Sequence, residues 1–251
     1  MPYKPAHHSK RPSIFDRQWE RTALLLFIAE VAVLLIFSAV PLPTSVANVL
    51  SNNYQALKQQ IAGMSFPQAA GYIFAHNLEI ATGEMLPLLG GLLLAVSVSS
   101  TGLTLSAISH SYNIAGVAIG ASLFILPHTW IELSAYAFAS TEGLFLLLSL
   151  IKWKKSAPFM QELNRAASAW LLVAATLLVA AIFESGELQL GMSNSAYPLL
   201  AWLPFIAVIA AAAEARRRLK TRAGPLNSYS SSGNIKSKRL KRIDNNKSKS
   251  W

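Results

Sequence analysis

The sequence predicts an all-α fold, a polytopic membrane helix bundle of about six crossings, with one Pro-broken short helix pair and interfacial amphipathic helices. Three observations predict it. Apolar residues make up 53% of the 251 and charged ones only 14%, against about 25% charged in an ordinary soluble domain. Several apolar runs have the length of a membrane span. The 22 Lys and Arg residues are clustered, not spread. A soluble enzyme, a secreted disulfide scaffold and a disordered chain all fit this composition poorly. The chain has no cysteine, which excludes disulfides, thiol nucleophiles and cysteine-held metals.

The net charge of +10 acts as a topology signal. Lys4, Lys10, Arg11, Arg17 and Arg21 precede the first span. Lys152, Lys154 and Lys155 form a second cluster, and a third runs from Arg216 to Lys249. Cytoplasmic loops collect Lys and Arg, so the three clusters belong on one side. This expects a multi-pass protein of the cell membrane with both termini cytoplasmic. Residues 1–21 read as a basic arm, 22–213 as the transmembrane domain and 214–251 as a basic, disordered tail. The tail's expected partner is the anionic headgroup surface, at about 1 kcal/mol per basic residue. Nucleic acid is a weaker expectation, because the tail lacks interleaved aromatics for base stacking.

The elements follow in order. Residues 22–40 make the first span, long enough for a hydrocarbon core of about 30 Å. Residues 46–61 carry Val46, Val49, Leu50, Leu57 and Ile61 near helical spacing, the pattern of a surface amphipathic helix. Residues 66–80 mix apolar and polar groups and read as an interfacial or dipping helix. Residues 85–109 form the second span, with Gly90, Gly91, Gly102 and several Ser and Thr that let helices approach closely. Residues 114–126 are apolar but too short to cross, Pro127 interrupts, and 128–151 resumes. That pattern suggests a hairpin with its tip within the membrane. Residues 159–165 connect, 167–183 span, 184–196 form an outer loop, and 197–213 make the last span.

Ionisable residues inside a membrane are costly, so each is a candidate site. His128 and Glu132 lie four apart after Pro127, on one face of a helix that starts at depth. Their plainest expectation is a structural His–Glu pair that locks the hairpin. His76, Asn77 and Glu79 form a second group, with Glu84 close by. Glu30 sits midway along the first span. His76, Asn77, Glu79, Glu84, His128 and Glu132 could converge on one polar intramembrane site, joined by Glu30. Glu142 and Glu184, nearer to helix ends, read as solvated or locally paired. A metal, if one binds, would take His76, His128 and Glu132. No cofactor is required by the sequence, and no catalytic residue is assigned, since triad elbows, phosphate loops and H-E-x-x-H are absent.

The His76-Asn77 pair, the Gly/Thr-rich span, and Pro127-His128 with Glu132, then Leu133-Ser134-Ala135-Tyr136-Ala137 and Glu142-Gly143, resemble the stage II sporulation protein M family. The resemblance covers 66–150. Members typically show Asn-Asn, Asn-Gly and Pro-His-Gly-x-x-Glu; here His76, Ser111-Tyr112 and Thr129 stand at departures from these. It implies an integral membrane protein. In spore formers, family members act in a membrane complex that anchors cell-wall hydrolases, and the family also occurs in organisms that make no spores.

The leading functional expectation is therefore a scaffold or assembly factor of a membrane complex, with protein partners and room for a homo-oligomer. A permease or small channel centred on His128 and Glu132 is the alternative. A further alternative is an intramembrane metal-dependent hydrolase built on His76, Glu79, His128 and Glu132.

Overall fold

The computed structural model describes residues 17–152, 159–190, 200 and 202–223. Residues 1–16 of the basic arm, Lys154 and Lys155, the expected outer loop beyond residue 190, most of the start of the last span, and the tail from 224 lie outside the described residues.

The described residues form eight α-helices and no strand. They are α1 (Arg17–Ser38), α2 (Thr44–Ala62), α3 (Phe66–Glu84), α4 (Gly90–Tyr112), α5 (Gly116–Ser122), α6 (Pro127–Lys152), α7 (Phe159–Leu190) and α8 (Trp202–Ala223). A single 3-10 turn, Leu123–Ile125, joins α5 to α6. Four helices are long and apolar enough to cross a membrane: Gln18–Ser38, Gly90–Tyr112, Pro127–Ile151 and Glu162–Gln189. Apolar residues face outward on them, including Leu24, Leu25, Leu92, Leu171 and Leu178. A soluble fold would bury that surface, so lipid is its natural solvent.

Two compact units divide the chain at residue 201. The first holds α1 to α7. In it α6 packs along α7, α1 packs on α4 and α6, and α3 packs along α7. The core contains Leu34, Met85, Leu94, Val98, Leu133, Tyr136, Leu146, Val173 and Leu177. The second unit contains α8, where Glu214 accepts hydrogen bonds from Arg217 and Arg218.

Glycine sets how closely the helices meet. A Cβ on Gly116 would lie 2.0 Å from the Ser38 carbonyl oxygen, and one on Gly102 would lie 2.8 Å from that of Leu34. The carboxyl end of α1 is thus wedged between α4 and α5, where the Ser106 hydroxyl donates to the Val40 carbonyl at 2.5 Å. Gly90 and Gly143 play the same part beside Glu84: their Cβ atoms would come within 2.0 and 2.5 Å of its carbonyl oxygen. The end of α3 therefore sits against both α4 and α6.

Several boundaries differ from the sequence reading. The last helix, α8, runs past residue 213 to Ala223, so the start of the tail expected to be disordered is helical. The second apolar helix starts at Gly90, not residue 85, because Pro87 and the left-handed Leu88 (φ 74°) form a turn. The segment expected at the interface is part of α3, whose buried Ala69, Ala70, Ile73, Asn77, Ala81 and Glu84 recur at helical spacing and pack into the bundle. Finally, α7 does not stop near residue 183 but runs to Leu190. Near its end the Gln189 side-chain amide donates to the Met64 carbonyl at 3.1 Å, tying α7 to the α2–α3 turn.

Candidate functional site

The α6 helix opens as expected. Leu126 is extended (φ −93°, ψ 129°), the conformation favoured ahead of proline, and Pro127 takes the first helical position. The Trp130 indole N–H donates to the Phe124 carbonyl at 2.9 Å, satisfying an acceptor left free where the chain breaks. His128 follows at the start of the helix, and its side chain is 12% exposed.

His128 does not make its ion pair with Glu132. Its Nδ1 meets Glu187 Oε2 at 2.5 Å. Glu132 instead accepts a hydrogen bond from the Tyr136 hydroxyl at 2.9 Å, one turn further along α6. The reason lies in α7. Its extra turns place Glu184 and Glu187, three residues apart, on one face toward α6. The expected local pair is therefore replaced by a contact between two helices. Glu184, expected to be solvated or locally paired near a helix end, instead lines a cavity for the same reason.

That cavity measures about 440 Å³ and is walled by α2, α3, α4, α6 and α7. Its polar groups include those of Tyr54, His76, Asn77, His128, Glu132 and Glu184, with several Ser and Thr hydroxyls. Burial, then neighbouring Tyr112 and Glu184, pushes the Tyr54 phenol above its ordinary value, so it stays a neutral donor. No Lys or Arg is among the lining residues. One ligand atom each from His128, Glu132 and Glu184 lies within 4.8 Å of the others. The metal set expected from sequence was His76, His128 and Glu132; the grouped trio exchanges His76 for Glu184, while His76 remains on the cavity wall.

The other sequence candidates fall in different places. Asn77 is buried and lines the chamber, but Glu79 is exposed and does not. Glu84 lies deeper and is fully buried. Its two oxygens accept from Ser97 of α4 at 3.1 Å and Ser140 of α6 at 3.3 Å. Glu30 is buried too, and neither oxygen has a hydrogen-bond donor among the described residues.

Elsewhere on α6, Glu142, expected to be solvated or locally paired, is fully buried and takes partners distant in sequence. It accepts from the Trp19 indole at 2.5 Å and pairs with Arg165 at 3.2 Å. Arg165 also reaches Glu162 at 3.2 Å and lies over the Phe145 ring. One carboxylate thus joins α1, α6 and α7. Arg165 was one of two basic residues outside the charge clusters, a signal that it serves a local acid.

Residues 23–186 match the family described as Stage II sporulation protein M. The chain belongs to that family. The match takes in most of α1, all of α2 to α6 and most of α7, far more than the 66–150 that the motif residues suggested. Within the matched range, His128 and Glu132 line the chamber. Family membership and the long apolar helices together make this a membrane protein. No curated protein and no solved structure matches the chain.

Sequence reasoning missed Glu187, Tyr54 and Tyr136 as partners in this site. Glu184 and Glu187, two acids three apart directly after an apolar run, were the available signal. Reading that run as ending at its first acid hid it.

Proposed function

We propose that this chain is a scaffold or assembly factor of a protein complex in the cell membrane, crossing it several times with both termini cytoplasmic. The family match over 23–186 carries the reading. The interior supports it. Trp19, Glu142 and Arg165 clamp α1, α6 and α7, and Glu84 of α3 accepts hydrogen bonds from α4 and α6. Paired polar groups between buried helix faces favour one arrangement over alternatives, as a docking frame requires. The basic tail adds a surface for anionic headgroups and for protein partners. Purification in mild detergent should recover defined partners with the full chain, and deleting residues 224–251 should lower their yield several-fold. Recovery of the chain alone under every condition tried sinks this reading.

The chamber favours a second reading, a permease or small channel. A helix broken at depth, with polar groups around its free end, is how many transporters build a substrate site. Proteoliposomes would then show solute or proton flux that Glu132→Gln lowers at least about tenfold, roughly 1.4 kcal/mol. Absence of flux across a broad solute panel removes it. A hydrolase built on His76, Glu79, His128 and Glu132 has weaker support, because Glu79 is off the chamber wall.

A further inference from the structure

We infer that His128, Glu132 and Glu184 form a binding site for a divalent transition-metal ion inside the chamber, with Glu187 orienting the histidine. The three donors come from two helices and lie within 4.8 Å of one another. Zinc–ligand distances of about 2.0–2.1 Å set tetrahedral donors about 3.3–3.4 Å apart. The trio must therefore close by at most about 1.5 Å, within reach of side-chain rotations in glutamate.

Each donor is available. The Nδ1 of His128 is held by Glu187 at 2.5 Å, which leaves Nε2 to coordinate; its neighbour there is the Thr129 hydroxyl at 3.5 Å. A carboxylate on the far nitrogen of a metal-bound histidine is the usual outer support, fixing the ring and raising its basicity. Glu132 has one oxygen engaged by Tyr136 and one free. Glu184 has no hydrogen-bond donor among the described residues.

Charge points the same way. Glu132 and Glu184 on the chamber wall, with Glu187 behind His128, set three carboxylates against the two imidazoles of His76 and His128, with no Lys or Arg on the wall. Uncompensated carboxylates are expensive away from water. A divalent cation offsets that excess where a neutral or anionic ligand would not. One nitrogen and two oxygens suit zinc, iron(II) or manganese. Three protein ligands leave a coordination position facing the remaining cavity, open to water or a partner's side chain.

The test uses the full chain, without a histidine tag, purified in detergent and stripped of metal. Titration with Co²⁺ should give one equivalent per chain and visible ligand-field bands. Glu132→Gln and Glu184→Gln should each weaken binding at least tenfold, and Glu187→Gln ten- to a hundredfold. A chain with His7→Ala and His8→Ala, which removes the histidine pair of the amino-terminal arm, should bind as the original does. Zinc-edge X-ray absorption on the unaltered chain needs no variant and should show one imidazole with oxygen ligands. Failure of the unaltered chain to bind overturns the inference. So does binding that survives both glutamine variants, binding lost with His7 and His8, or a zinc shell with two or more imidazoles.

Discussion

At the residue scale, the two buried ion pairs decide more than the sequence pattern implied. His128 and Glu132 have the spacing that lets two side chains meet, yet each has another partner. Spacing permits a contact; competition among all nearby groups decides it, and Glu187 lies too far along the chain for local pattern to reveal. Arg165 shows how burial ranks two contacts of equal length. It meets Glu142 and Glu162 at 3.2 Å, but Glu142 is fully buried and Glu162 is 20% exposed. Removing Arg165 strands the buried acid, so Arg165→Met should cost about 3–5 kcal/mol. Losing Glu162 leaves Arg165 with its better partner, so Glu162→Gln should cost under about 1 kcal/mol. Thermal unfolding of the two variants in detergent compares them directly. Equal losses would show that Glu142 does not depend on the arginine.

At the element scale, helix contacts depend on glycine positions that differ sharply. Gly116 and Gly143 face backbone carbonyl oxygens at distances no Cβ can occupy. Alanine there must push α1 off α5 or α3 off α6, at about 1–3 kcal/mol for overpacking. Gly71 and Gly91 have nothing within 4 Å, so alanine should be neutral or stabilise by up to about 1 kcal/mol. Melting temperatures of the four alanine variants should split into these two pairs; a uniform shift would contradict the packing. Much at this scale was legible in the sequence: apolar runs gave α1, α4 and α6, and Pro127 gave the start of α6 to the residue. The ends of α3 and α7 were not. Polar residues inside those helices resemble exposed loop residues until the helices that cover them are known. Asn77 is buried against neighbours from distant sequence, and Glu187 is held by His128.

At the scale of the whole molecule, the apolar outer face and the family explain the composition, while the clustered basic residues set the expected orientation. The cysteine-free sequence makes that orientation easy to test. Single cysteines at Ser13 and Ser231 should resist an impermeant thiol reagent in intact cells, whereas one at Ser193 should react. Labelling of either terminus from outside would reverse the expected topology. The fold class and the matched family were readable because both rest on composition and a short motif. Four of the expected site residues, His76, Asn77, His128 and Glu132, do line the chamber; the contact that carries Glu184 and Glu187 across to α6 was not readable, because it exists only once α7 runs past residue 183. That contact is the central claim, and a double-mutant cycle on His128→Gln and Glu187→Gln measures it. Unfolding free energies in detergent should show the double variant losing less than the two single losses combined, with a coupling of at least about 1 kcal/mol. Strictly additive losses would mean that the two side chains do not meet, and the chamber as described would fall with them.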